Sequence, residues 1–136
     1  MKGKLFMDKK TDLVTKWIKY AKDDLVVAKL IIDSKIDSYQ NVVFHSQQAT
    51  EKILKAYIID NDIPFRRIHD LKTLISMIES CFQIDNSLYH RIEIFVKFNI
   101  ETRYPDLEEN PTIDEAKKAI AEAEWILNYF KSLLNK

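Results

Sequence analysis

The chain has 136 residues, of which 46% are hydrophobic and 31% charged, a balance typical of one globular domain rather than of a disordered or membrane protein. Lysine and arginine together number 21, as do aspartate and glutamate, so the formal net charge is zero. A zero charge argues against a sequence-independent grip on nucleic acid, which needs a basic surface, and it mildly favours self-association.

Glycine, proline and cysteine are rare. One glycine and three prolines leave little material for the tight turns of an all-β protein, so the composition favours an all-α fold. The single cysteine, Cys81, permits no intramolecular disulfide and no thiolate metal cage, and we predict that it is buried near a helix end. No apolar run is long enough for a signal sequence or a membrane span, which predicts a cytoplasmic protein without a membrane partner.

Apolar residues recur at three- and four-residue intervals along almost the whole chain, a spacing that is typical of amphipathic helices. A first helix is expected to begin near Thr11 or Asp12, either of which is a good N-cap, and to end before the DSKIDS segment. A second helix is predicted from about Tyr39 to Ile59. The connection NDIPFRRIHD follows, since Pro64 disfavours helix on its N-terminal side.

Three further helices are predicted after this connection. Asp70 is the expected N-cap of the third, and a fourth covers about residues 86–101, because Pro105 must end it. The TIDE sequence is a capping box, with Thr112 at the N-cap of the last helix and Glu115 three residues on. Five such helices predict an up-and-down four-helix bundle with an additional short helix, formed as a single domain over residues 1–136.

The second helix carries a polar strip on the side that the helical wheel places nearly opposite its apolar face. We define the polar strip as His45, Gln48, Glu51, Lys52 and Lys55. Its spacing suits a surface for a ligand or a partner, and it suits equally the solvated face of any helix. Apolar neighbours on or beside that side, namely Phe44, Leu54, Ile58 and Ile59, indicate contact with another chain. The doubled glutamine Gln47-Gln48 could hold a ligand's base edge or lock two helices together.

Two basic clusters lie at predicted helix ends. In RRIHD, Arg66 and His69 precede the N-terminus of the third helix, whose free N–H groups attract anions, so a phosphate could bind there. The alternative is that Asp70 caps the helix and the arginines are solvated. In ETRYP, Arg103 and Tyr104 could bind phosphate or stack on a base, or they could pin the loop to the bundle.

Four segments follow one another in a characteristic order: YQNVVFHSQQATEKILKAYI, IHDLKTLI, TRYP and TIDEAKKAIAEAEWIL. They resemble the HEPN domains (higher eukaryotes and prokaryotes nucleotide-binding), and WIKYAKDDLVVAKLII near the start resembles the first helix of that family. The similarity covers about residues 17–134. It implies a four-helix bundle plus a short helix, commonly a homodimer, which is paired with or fused to a minimal nucleotidyltransferase, as in toxin–antitoxin pairs.

The resemblance also implies a site. The residues that correspond to the shared pattern are His45, Gln48, Glu51, Lys52, Lys55, His69, Asp70, Arg103 and Tyr104. Some members of the family are ribonucleases that use an Arg-x(4–6)-His motif at a dimer cleft. That spacing is absent here, because Arg66 and Arg67 lie too close to His69 and no histidine follows Arg91 or Arg103. We therefore assign no catalytic residue.

Metal and nucleophilic chemistry find no support in the sequence. The three histidines lie on three different segments, without a local pair at ligand spacing, so we expect neither a metal nor a cofactor. Three functions remain. The first is a non-catalytic module that binds a nucleotide, another phosphate-bearing ligand or RNA and partners a minimal nucleotidyltransferase. The second is a ribonuclease toxin with a rearranged site, such as Arg103 with His69. The third is a purely homodimeric interaction or scaffold protein.

Overall fold

The computed structural model describes residues 2–64, 67–99 and 109–134, with side chains from residue 9 onward. These residues form six helices and contain no strand, which confirms the predicted all-α bundle. The helices are α1 (Lys2–Asp33), α2 (Tyr39–Asp60), α3 (Leu71–Glu79), α4 (Leu88–Arg91), α5 (Glu93–Lys97) and α6 (Ile113–Leu134). None of the described helices combines the length and the apolar character needed to cross a membrane.

Helix α2 lies at the centre of the bundle. It packs along α1 and α6 and also contacts α3 and α5. The predicted apolar face of α2 is buried, including Val42, Ala49 and Ile53, which confirms the wheel on that side. Leu54 and Ile58, on a different side of the helix, are also fully buried. Because four helices surround α2, little of its circumference reaches solvent.

Helix α1 is longer than the sequence pattern predicts. It begins at Lys2 rather than near Thr11 or Asp12. Thr11 lies inside the helix, where its carbonyl accepts a hydrogen bond from the Thr15 hydroxyl at 2.8 Å. The prediction of the start was wrong because a good N-cap residue does not by itself make a helix begin there. Residues 4–10, which precede Thr11, are mostly helix formers and include no proline, so the helix extends through them.

The predicted fourth helix is broken into two short ones, which corrects the range 86–101. Ile92 ends α4 and precedes α5, with φ −86° and ψ −2°. Its carbonyl still accepts hydrogen bonds from the amides of Phe95 and Val96, at 3.0 and 3.1 Å. Leu88, Ile92 and Phe95 are all buried at the spacing of one continuous helix, so the apolar pattern does not indicate the break.

The predicted helix caps are confirmed. The Asp70 carboxylate accepts hydrogen bonds from the Thr73 amide at 3.1 Å and the Thr73 hydroxyl at 2.6 Å. At the start of α6, the Glu115 amide donates to the Thr112 hydroxyl at 3.1 Å, and the Thr112 amide donates to the Glu115 carboxylate at 3.0 Å. Cys81, in contrast, is exposed, so the prediction that it is buried was wrong.

Candidate functional site

The polar strip of α2 is not a solvated face. Glu51 and Lys55 are buried, with 5% and 4% of their surface exposed, and His45, Gln48 and Lys52 are half-buried. The strip packs under neighbouring elements because α2 is the central helix. The interpretation of Leu54 and Ile58 as contacts to another chain was also wrong, since both belong to the core of this chain.

His45 and Lys52 of the strip both contact one carboxylate on α1. The Lys52 ammonium donates to Asp24 Oδ2, and His45 Nδ1 lies 3.0 Å from Asp24 Oδ1. The Asp24 side chain is 12% exposed, so this carboxylate is largely desolvated and relies on these two partners. These two members of the strip therefore hold α1 against α2.

Glu51, Lys55 and His69 form a compact ionic cluster. The Lys55 ammonium donates to Glu51 Oε2 at 2.9 Å and lies 3.1 Å from His69 Nδ1, which in turn lies 3.3 Å from Glu51 Oε2. If Nδ1 carries no proton it accepts from Lys55, and if it carries one it donates to Glu51. The ring of Trp17 flanks the cluster, with its centroid 5.5 Å from Lys55 Nζ. The cluster connects the segment that precedes α3 to the middle of α2.

A cavity of about 270 Å³ opens beside this cluster, between α2, the start of α3 and α5. Its described lining consists of Phe44, Gln47, Gln48, Glu51, His69, Asp70, Leu71, Lys72, Phe95, Val96 and Asn99. Four predicted site residues, Gln48, Glu51, His69 and Asp70, therefore meet at one cavity. The other three described ones, His45, Lys52 and Lys55, do not line it.

The cavity combines unpaired polar groups with an apolar wall. Within the described residues, the side-chain amides of Gln47 and Gln48 make no hydrogen bond, and Lys72 has no carboxylate within ion-pair distance. Phe44 and Phe95 supply the aromatic part of the wall. The sequence contains the glutamine doublet, but only Gln48 was predicted as a site residue. Lys72 was not predicted, although its position just after the Asp70 cap could have indicated it.

Three predicted site residues, Arg66, Arg103 and Tyr104, lie outside the described residues, so their placement at a phosphate site stays a prediction. Arg91, which cannot form the nuclease motif because no histidine follows it, makes contacts within the bundle. Its guanidinium donates to Glu122 at 2.8 Å and to the Ser87 hydroxyl at 3.0 Å. It also lies over the ring of Trp125, 3.6 Å from the centroid.

Among the described residues, no group of three histidine, cysteine, aspartate or glutamate side chains is arranged to hold a metal ion. The carboxylates near the cavity are engaged elsewhere: Glu51 with Lys55, and Asp70 with the first turn of α3. The described lining therefore offers hydrogen-bond donors and acceptors, the cation of Lys72 and an apolar wall.

The bundle and its cavity can now be compared with known proteins. A family profile described as the HEPN domain matches residues 14–133. The chain belongs to the HEPN domain family. The Methanocaldococcus jannaschii protein named "Putative toxin MJ1304" is 32% identical to this HEPN protein over 136 aligned positions, which cover 88% of this chain and 87% of that one.

Two crystal structures have similar folds. TT1696 from Thermus thermophilus superposes with a TM-score of 0.74 at 23% identity, over 88% of this chain and 96% of that one. ST0689, described as an archaeal HEPN homologue, superposes with a TM-score of 0.64 at 26% identity, over the same shares of the two chains. The predicted HEPN resemblance and the helical bundle are confirmed.

Proposed function

We propose that this HEPN protein is a non-catalytic module that binds a nucleotide or another phosphate-bearing ligand in the α2–α3–α5 cavity. The observation that carries the proposal is the pair of glutamine amides, Gln47 and Gln48, that are unpaired within the described residues and lie beside the aromatic wall and Lys72. A side-chain amide presents a donor and an acceptor together, which is the pattern needed to pair with the edge of a nucleobase. An aromatic wall can cover the face of the same base.

The phosphate end of such a ligand has a place at the start of α3. The N-terminus of a helix presents unsatisfied N–H groups and a partial positive charge, and Lys72 adds a full one within the same turn. Asp70 uses its carboxylate to cap Thr73, which leaves the amides of Leu71 and Lys72 for an anion. Arg66, Arg103 and Tyr104 remain proposed contributors to the same ligand.

The ligand proposal is tested by thermal melting with a panel of nucleotides at millimolar concentration. We expect at least one nucleotide to raise the melting temperature of the wild type and to lose that effect in Gln48→Ala and Lys72→Ala. Lys118→Ala, an exposed lysine on α6, is the matched control and should keep the shift. Arg103→Ala belongs to the same panel. If no nucleotide shifts the wild type, the ligand part of the proposal fails.

We propose that this chain belongs to a two-protein, toxin–antitoxin-like pair, in which a minimal nucleotidyltransferase is the partner. The name of the relative, "Putative toxin MJ1304", supports the toxin–antitoxin part of this proposal. Co-expression with the product of the neighbouring reading frame tests this part. Recovery of a stoichiometric complex with a protein that carries paired catalytic carboxylates supports it. A neighbouring gene without such carboxylates, or a product that elutes separately, contradicts it.

A homodimer is the third part of the proposal, after the ligand and the nucleotidyltransferase partner. Leu13, Tyr20 and Val27 are spaced seven residues apart on α1 and are 45%, 48% and 37% exposed. A stripe with this spacing suits packing of one helix against another. Light scattering should give a dimer at micromolar concentration, and Val27→Glu should shift it towards monomer because the charge would be buried. A monomeric wild type refutes both the dimer and the pure scaffold function.

The ribonuclease alternative makes a different prediction. His69 is already in contact with Lys55 and Glu51, so it is held as part of a structural cluster. Purified protein should leave total RNA intact in the presence of a chelator, even at high protein excess. Cleavage that is lost in His69→Ala but retained in His90→Ala, a histidine exposed on α4, would instead support the enzyme.

A further inference from the structure

Helices α1 and α6 run antiparallel in a register that pairs charged residues. Lys29 Nζ lies 3.2 Å from Glu124 Oε1. Seven residues earlier on α1 and seven later on α6, Lys22 and Lys131 line one groove between the two helices. Seven residues are about two helical turns, so the two pairs occupy equivalent layers of the same helix–helix contact. One layer has opposite charges and the other has like charges.

The Lys22–Lys131 layer lacks, among the described residues, the carboxylate that the neighbouring layer has. Contact with Lys22 lowers the pKa of Lys131, and partial burial lowers it further. Neither lysine has an ion-pair partner in the described parts of the chain. Glu124, the carboxylate nearest along the register, is used by Lys29. Two ammonium groups that line one groove repel each other, so this layer stabilises the α1–α6 contact less than the Lys29–Glu124 layer does, and an anion between the two lysines would offset the repulsion.

The two lysines lie in a groove rather than on a convex surface. The groove has a volume of about 270 Å³, and Leu25, Val26 and Leu127 form its apolar part. Asn128 also lines it, and the side-chain amide of Asn128 makes no hydrogen bond within the described residues. Lys22, Lys131 and Asn128 therefore place their donors around one space. The buried Leu25 and Leu127 in the lining lower the local polarity, which strengthens the attraction of an anion to these donors.

We propose that the α1–α6 groove is a second binding site, which takes a phosphate group between Lys22 and Lys131. A phosphate monoester carries roughly −1.5 to −2 charges at neutral pH and three acceptor oxygens, enough to neutralise two ammonium groups and accept from an amide. A carboxylate has a single charge and would leave one lysine uncompensated. The site shares no lining residue with the α2–α3–α5 cavity, so it is independent of the proposed function.

Nucleic acid and a second copy fit the groove less well. A polyanion binds through many phosphate contacts, whereas Lys29 is already paired and leaves two unpaired lysines in the described lining. In a two-fold symmetric contact the same patch would meet itself, which would bring two sets of lysines together. The ligand is therefore a small phosphate compound, either free inorganic phosphate or the terminal phosphate of a mononucleotide such as AMP.

The test titrates inorganic phosphate and, separately, AMP into the full chain by calorimetry, at constant ionic strength set with sodium chloride. Backbone amide chemical shifts report where binding occurs, and perturbation at Lys22, Asn128 and Lys131 is expected. A response to both compounds identifies the phosphate group as the ligand. A response to AMP alone identifies a nucleotide phosphate as its source.

Two substitutions should change the affinity in opposite directions. Lys131→Glu converts the like-charge layer into a copy of the Lys29–Glu124 layer, so it should raise the melting temperature without phosphate and weaken binding by more than about tenfold. Glu124→Gln frees Lys29 and should tighten binding several-fold. Lys131→Gln removes the charge without adding a carboxylate and covers the case in which the reversal disturbs folding. Lys118→Glu makes the same reversal on α6 away from the groove and should bind like the wild type.

Several results would overturn the proposal. The proposal fails if phosphate and AMP at tens of millimolar concentration leave the amide chemical shifts of the groove unchanged. It also fails if Lys118→Glu weakens phosphate binding as much as Lys131→Glu does, because the general charge of the protein would then account for the binding. Binding of an RNA oligonucleotide or an acidic peptide at these amides, without binding of either small compound, would assign the groove to a macromolecule instead. Gln48→Ala should leave the groove response intact, so a failure in the α2–α3–α5 cavity is distinguishable from a failure here.

Discussion

The ion pair between Glu51 and Lys55 is buried, which makes Lys55→Met a severe perturbation. Their side chains are 7% and 5% exposed, and Lys55 Nζ lies 2.9 Å from Glu51 Oε2. At that distance the Coulomb attraction is about 6 kcal/mol for an effective dielectric constant of 20, and the desolvation of the two ions offsets much of it. Lys55→Met removes the attraction but leaves Glu51 desolvated. We therefore expect the free energy of unfolding to fall by about 3–5 kcal/mol.

The double variant Glu51→Leu, Lys55→Met separates the cost of a lone charge from the value of the pair. Because both ions are removed and replaced by apolar groups of similar size, its stability should lie within about 1 kcal/mol of the wild type or exceed it. Glu51→Leu alone should also destabilise, because it leaves the Lys55 ammonium buried without the Glu51 carboxylate. The double-mutant cycle should therefore give a large favourable coupling between Glu51 and Lys55.

Urea unfolding followed by circular dichroism at constant pH measures these differences, since the linear extrapolation gives each free energy of unfolding. The matched control is Asp23→Asn. It breaks another pair with the same four-residue spacing, Lys19–Asp23 at 2.8 Å, in which the side chains are 69% and 56% exposed. No measurable change is expected there. A loss below about 1 kcal/mol for Lys55→Met would show that the pair is not desolvated, because a water-exposed pair behaves in that way.

Three further predictions concern the cap at the start of α6 and the contact between Arg91 and Trp125. Thr112→Ala removes the hydroxyl that accepts from the Glu115 amide at 3.1 Å, and it should cost about 1 kcal/mol in urea unfolding, most of which Thr112→Ser should restore. Hydrogen bonds from the Lys97 ammonium and then from the Thr112 amide hold the pKa of Glu115 below its ordinary value of 4.5. Because folding lowers this pKa, the stabilisation is complete above 4.5 and is lost as the pH falls through the folded-state pKa. The melting temperature of Glu115→Gln should therefore be below that of the wild type at neutral pH and should converge with it in strong acid. Arg91→Lys loses the planar stack over Trp125, 3.6 Å from the ring centroid, and should lower the free energy of unfolding by about 1 kcal/mol; an unchanged value would mean that the stack contributes nothing.

The helix caps could be predicted from the sequence because their hydrogen bonds join residues only three apart. Asp70 and Thr73, like Thr112 and Glu115, form their contacts within a single turn, whatever packs around them. The break at Ile92 could not be predicted in this way. The buried residues Leu88, Ile92 and Phe95 have the spacing of one continuous helix, so periodicity predicts a single helix across Ile92.

The site could be predicted only in part, for a related reason. Periodicity along α2 separates an apolar side from a polar strip, but it does not tell how many helices will pack around that helix. With four neighbours, the strip becomes an internal contact, and only Gln48 and Glu51 among its members line the cavity. The remaining lining residues come from other segments, including His69, Lys72 and Phe95, and only the tertiary fold brings them together.

The spacing of Glu51 and Lys55 illustrates what a sequence pattern leaves open. Two opposite charges four residues apart predict a favourable pair on one helix, and the pair forms. The same spacing joins Lys19 and Asp23. One pair lies in solvent and the other is almost fully enclosed, so two pairs with the same four-residue spacing should differ by several kcal/mol in the cost of removing one partner. A zero net charge is equally uninformative about position, because it coexists with a groove in which three lysines face a single glutamate among the described lining residues. Function in this chain therefore depends on where the fold places its charges, and experiments that move one charge at a time are the ones that can identify its ligands.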